Sequence, residues 1–97
     1  MISSKKSLFQ VYFKVYGIVQ GVGFRWFVAD ETRSLNINGW VRNCYDGTVE
    51  GVLQGGKDAI EQAVNKIKLG PSMSRVDDVE VRWEIVKNIF NSFEIRH

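Results

Sequence analysis

The chain has 97 residues, 44% of them hydrophobic and 25% charged, with a formal net charge of +2, which leaves room for one soluble domain and excludes a disordered chain. It contains no 18-residue apolar run to span a bilayer, and Gln10 interrupts Leu8-Phe9 before a signal-peptide core can form. One cysteine, Cys44, rules out an internal disulfide and a cysteine-built metal site; the one histidine, His97, is the last residue, so neither a Ser-His-Asp triad nor a histidine cage is expected, and the cysteine usage fits a reducing, cytoplasmic setting.

Residues 1–8, with Lys5 and Lys6, read as a mobile tail ahead of a domain over 9–97. Phe9, Val11, Phe13 and Val15 alternate with Gln10, Tyr12 and Lys14, the period of a strand with one buried face. Gly17 opens a glycine-spaced loop that runs to Gly23. From Phe24 the period becomes helical, with Phe24, Phe27, Val28, Thr32 and Leu35 on one side and Asp30, Glu31 and Arg33 on the other. Asn38-Gly39 is expected to end this helix and Trp40 to Asn43 to form a second strand. Asp46-Gly47 is a turn pair that leads into a third strand, Thr48 to Gln54. Ala59, Ile60, Ala63, Val64 and Ile67 mark a second helix, with Asp58 in its first turn, Lys66 and Lys68 in its last, and Gly70-Pro71 as its stop. Val79, Val81, Trp83 and Ile85 alternate as a fourth strand, and Phe93 and Ile95 predict a short closing one. The order β-α-β-β-α-β predicts an α+β, ferredoxin-like sandwich: an antiparallel sheet, two helices on one face, and an extra C-terminal strand.

The strongest local feature is the segment Gly17 to Gly23 running into Phe24-Arg25. Three glycines in seven residues let successive N–H groups converge, a helix N-terminus adds its positive dipole end, and Arg25 offers a guanidinium fork. The residues alone leave two readings open, a phosphate cradle or a plain strand-to-helix turn. Gly51 to Lys57 has P-loop spacing, but Asp58 stands where a magnesium-binding hydroxyl belongs. Trp26 occupies the place of the third glycine of a dinucleotide fingerprint, so that reading fails as well. Gly21 to Val28 superficially resembles an RNA-recognition signature. Its aromatics, however, open a helix and are expected to face the core, and the basic residues are scattered. Trp26, Trp40 and Trp83 are expected to serve packing. Asn43, read alone, is a turn residue of the hairpin.

Two longer motifs decide between these readings. Val15 to Arg25, followed by Gly39-Trp40-Val41-Arg42-Asn43, Gly47-Thr48-Val49 and Gly55, resembles the two signatures of the acylphosphatase family. Gly70-Pro71 and Val76 lie where that family has its Gly-Pro segment. Ile18 departs from it, standing where a basic residue is frequent. The resemblance implies hydrolysis of the carboxyl–phosphate bond of acyl phosphates to a carboxylate and inorganic phosphate, the latter also a competitive inhibitor. It further implies that Arg25 binds the phosphate, that Asn43 holds the attacking water, and that the backbone from Gln20 through Gly21, Val22 and Gly23 to Phe24 forms the cradle. No metal, cofactor, nucleic acid or membrane is expected, and the chain is expected to act as a monomer. The alternative is a ferredoxin-like RNA- or ligand-binding module without catalysis. His97 is expected to do no more than decorate the surface.

Overall fold

The structure, a computed structural model, describes residues 7–97. The expected tail over 1–8 lies outside the described residues as far as residue 6, while Ser7 and Leu8 are exposed. The elements are β1 (Phe9–Ile18), α1 (Phe24–Ser34), β2 (Asn38–Asn43), β3 (Val49–Gly55), α2 (Lys57–Leu69), β4 (Arg75–Glu84) and β5 (Phe93–Arg96). They form one five-stranded sheet in the order β4-β1-β3-β2-β5.

The alternation in β1 places Val11, Phe13 and Val15 in the core, with no exposure. Val41 of β2, Val49 and Leu53 of β3 and Phe93 of β5 join them beneath Phe24, Val28 and Ala29 of α1 and Ile60, Ala63 and Ile67 of α2. Burial of this continuous apolar layer is what holds the helices to one face, at about 25 cal/mol for each Å² removed from water. The other face is open. The pairings Lys14↔Glu50, Tyr12↔Val52 and Trp40↔Val52 line up its even-numbered residues. There Glu50 accepts from the Tyr12 hydroxyl at 2.7 Å and from Arg42 Nε at 2.7 Å. Burial pushes the Glu50 carboxyl up, but the Tyr12 hydroxyl and the Arg42 guanidinium outweigh it and hold the group below its ordinary range.

The ferredoxin-like architecture holds with one departure in strand direction. β5 runs parallel to β2, with Gly39↔Phe93 and Arg42↔Arg96, so the sheet is mixed rather than antiparallel throughout. The cause is the path of the chain. β4 ends beside the start of β1, and residues 85–92 cross that end of the sheet to its opposite edge. A strand that starts there must run back in the direction of β1 and β2. The buried Gln54 pins the crossing: its Nε2 donates to the Asn88 carbonyl at 2.7 Å, and its Oε1 accepts from the Phe90 amide at 2.9 Å.

Three boundaries also differ from expectation. Asn38 and Gly39 begin β2 rather than ending α1, because the reversal is made earlier, by Asn36 in the left-handed region (φ 57°), where asparagine is enriched. β1 continues through Gly17 and Ile18 by way of an irregularity that pairs them with Val76 and Arg75. β4 starts at Arg75 and ends at Glu84, which takes in Asp77 and Asp78 and leaves Ile85 outside the strand and exposed.

Candidate active site

Strand direction determines what can meet. β1 and β2 both run antiparallel to β3, and β5 runs with β2, so all three finish at the same end of the sheet. The loop after β1, the hairpin after β2 and the residue after β5 therefore converge there. Side-chain alternation selects within them: the odd-numbered Asn43 and His97 point to the helix side, as Val41 and Phe93 do, toward the first turn of α1.

That turn is built to leave its amides free. Gly21 and Gly23 take φ values of 75° and 78°, a left-handed conformation that glycine adopts without strain. Gly23 is the N-cap of α1, and no side chain caps the helix. The first amide to find a partner is that of Phe27, on the Gly23 carbonyl at 3.0 Å; among the described residues, the amides from Gly21 to Trp26 find no acceptor. These residues other than Val22, together with Val19 and Asn43, line a small cavity of about 100 Å³. A helix N-terminus with unpaired N–H groups and an arginine favours a compact anion.

Of the residues expected at the site, Gly21, Gly23, Phe24, Arg25 and Asn43 thus come together around one cavity. Phe24 turns its side chain to the core; Val22 packs against the core as well and is not among the residues that line the cavity. Gln20 does something the sequence does not announce. Its Nε2 donates to the carbonyls of Cys44 at 2.7 Å and Thr48 at 2.9 Å, so its side chain ties the loop to the β2–β3 hairpin instead of lining the cradle. The hairpin itself is closed by Asp46, not Asn43. Asp46 Oδ1 accepts from the Thr48 amide at 3.0 Å and from the Thr48 hydroxyl, and Lys14 Nζ lies 3.2 Å from its other oxygen. The Thr48 hydroxyl and amide, with Lys14, hold the Asp46 carboxyl down at about 2. Asn43 is thereby released from the turn role.

Three further residues correct the expectations. Arg25 Nη1 donates to the Arg96 carbonyl at 3.3 Å and lies 3.2 Å from His97 Nδ1, so His97 belongs to the site region. Trp26 is 64% exposed at the rim of the cavity and Trp83 is also exposed, so neither is a core residue. Trp83 meets Phe9 edge-on at 6.2 Å, and Trp40 lies on the open face beneath the guanidinium groups of Arg42 and Arg96. Among the described residues no group of three or more His, Cys, Asp or Glu side chains could hold a metal ion, and no helix is long and apolar enough to cross a membrane.

Sequence and fold comparisons agree with this geometry. The acylphosphatase family profile matches residues 11–95. An acylphosphatase of Thermococcus kodakarensis is 47% identical over 75 residues, 77% of this chain and 82% of the relative. The crystal structure of acylphosphatase from Bacillus subtilis superposes with a TM-score of 0.89 at 36% identity, covering 94% of this chain and 100% of that one. Full-length HypF, in a phosphate- and nucleotide-bound form, matches 94% of this chain with 12% of its own, at a TM-score of 0.83 and 31% identity. A compact-anion cradle on a ferredoxin-like sheet is the frame of a small phosphate-handling hydrolase. The chain belongs to the acylphosphatase family.

Proposed function

We propose that the chain hydrolyses the carboxyl–phosphate bond of acyl phosphates, with Arg25 and the amides from Gln20 to Phe24 holding the phosphate and Asn43 positioning the water. The observation that supports this reading is the run of unpaired amides from Gly21 to Trp26 around a cavity of phosphate size, with Arg25 and Asn43 on its wall. In the reaction a water oxygen forms a bond to phosphorus as the bond from phosphorus to the acyl oxygen breaks. The electron pair leaves on a carboxylate, which is stable without a proton, so no general acid is required. The proton of the water passes to a phosphoryl oxygen. Charge that spreads over those oxygens in the transition state is what converging N–H groups and a guanidinium stabilise. The neutral Asn43 amide has the one remaining task of holding the water in line.

The open sheet face weighs against an RNA-binding alternative. Glu50, Glu80, Glu84 and Glu94 share it with the arginines, and Arg82, Arg42 and Arg96 cover the Tyr12 and Trp40 rings on which bases would stack. The likeness to part of HypF favours a second reading, a phosphate-handling module of a larger assembly. One assay separates the two: the purified chain alone, without added metal, should release phosphate and benzoate in equal amounts from benzoyl phosphate, with inorganic phosphate as a competitive inhibitor. Phosphate binding without turnover would leave only the module.

A further inference from the structure

The cradle and Asn43 extend from different strands, and the sheet itself does not join them. The β1–β3 ladder ends at Val15↔Val49 and the β2–β3 ladder at Asn43↔Val49, so the loop and the hairpin both leave the sheet at the level of Val49. Beyond that level Gly17 and Ile18 pair away from the hairpin, with Val76 and Arg75 of β4. Among the described residues no backbone hydrogen bond joins residues 19–26 to residues 43–48. Only the Gln20 side chain bridges the two segments by hydrogen bonds there, through Nε2 to the carbonyls of Cys44 at 2.7 Å and Thr48 at 2.9 Å. We infer that Gln20 is a positioning residue for the hydrolysis: its side-chain amide sets the distance from the anion cradle to Asn43, and with it the line from the held water to phosphorus. The inference rests on the proposed hydrolase reading and deepens it at the same site.

A primary amide suits this place. Each of the two carbonyls already accepts one backbone amide of the hairpin, Thr48 O from Cys44 N at 2.9 Å and Cys44 O from Gly47 N at 3.1 Å. A carbonyl oxygen has two lone pairs, and Nε2 carries the two hydrogens that fill the pair left on each. A hydroxyl has one such donor and a carboxylate none. Both ends of the clamp adjoin the reacting groups: Gln20 directly precedes Gly21 of the cradle, and Cys44 directly follows Asn43. The cradle has further supports of its own, because Gly17 is paired to β4 and Arg25 is backed by the Arg96 carbonyl and His97. Asn43 depends on the hairpin alone. A misplacement of about 1 Å can cost about 100-fold in rate, so loss of the clamp should act on the alignment of the water more than on the hold on the anion.

The test is a double-mutant cycle on benzoyl phosphate, with the inhibition constant of inorganic phosphate measured beside kcat. Gln20→Met keeps the length of the side chain and removes both donors, and Gln20→Ala removes the side chain beyond Cβ. Gln20 is half-buried and outside the core cluster, so neither substitution opens the core. In each variant kcat should fall about 10- to 100-fold while the phosphate inhibition constant stays within about threefold. In an Asn43→Ala background, Gln20→Met should lower kcat by no more than about a further twofold, because Gln20 acts through Asn43. A merely structural role would carry its full loss into that background. Equal losses in the two backgrounds, phosphate affinity that falls in step with kcat, or wild-type kcat in Gln20→Met would each overturn the inference and leave the hydrolase reading standing. Failure of the wild type to release phosphate from benzoyl phosphate would overturn the hydrolase reading and the inference with it.

Discussion

Arg25 Nη1 lies 3.2 Å from Nδ1 of His97, a residue that β5 brings to the end of the sheet from the far side of the chain. The guanidinium has only donors, so a hydrogen bond across this contact requires Nδ1 to be the acceptor. With the Arg96 carbonyl at 3.3 Å, this contact orients the fork from behind. We predict that His97→Ala lowers kcat/KM about 2- to 10-fold, the worth of one hydrogen bond, and that His97→Gln recovers part of the loss by offering an acceptor. Equal activity in all three proteins would show that Arg25 is placed without His97.

Arg25→Lys should be nearly inactive although it keeps the charge. A planar fork can bridge two phosphoryl oxygens, whereas an ammonium offers a point charge on a stem of different shape. The expected loss is on the order of 100-fold or more in kcat. Turnover near the wild-type rate, with an unchanged circular dichroism spectrum, would remove the fork from the mechanism.

Asn43→Ala separates water from anion. The amide is assigned to the nucleophile, so its removal should act on the transition state and lower kcat by about 100-fold or more while the inhibition constant of inorganic phosphate stays within about twofold. A parallel collapse of phosphate affinity would instead place Asn43 on the anion.

The helix-side alternation of β1 and the apolar stripe of α1 are legible because burial on one face imposes a period, and Val11, Phe13, Val15, Phe24 and Val28 obey it. Trp26, two positions from Phe24, falls outside that stripe, and the expectation that it packs fails for this reason: the structure leaves it in water. β4 is harder to delimit: it lies at an edge of the sheet, where Asp77 and Asp78 meet solvent and no apolar alternation is required. The direction of β5 is not legible at all, because it depends on a crossing over 85–92 that carries no periodic signal. Arg25 and Asn43 stand out through family motifs, whereas the place of His97 follows from the pairing of Arg42 with Arg96 across two strands distant in the chain. The role of Gln20 is hidden for a similar reason. Its partners are main-chain carbonyls, which every residue possesses.

Acid should loosen the hairpin through Asp46. Its carboxyl is held down at about 2 by the Thr48 hydroxyl and amide and by Lys14. In the unfolded chain an aspartate titrates near about 4. The folded value is the lower one, so this contribution to stability is whole above about pH 4 and is lost as pH falls toward about 2. Asp46→Asn should flatten that limb of the melting-temperature profile between about pH 5 and 2. Limbs of equal steepness in the two proteins would assign the acid sensitivity to other groups.

The order of the strands in space, β4-β1-β3-β2-β5, has a consequence for how activity is acquired. Only β2 and β3 are neighbours both in sequence and in the sheet, and pairings between distant segments form more slowly than local ones because loop closure must come first. The cradle and Asn43 can assemble once β1, α1 and the β2–β3 hairpin are in place. The backing of Arg25 cannot, because Arg96 and His97 arrive only after the Gln54-pinned crossing has closed and β5 has docked. During refolding from urea, turnover of benzoyl phosphate should therefore return later than the helical circular dichroism signal. Simultaneous return of both signals would mean that β5 docks together with the rest of the sheet.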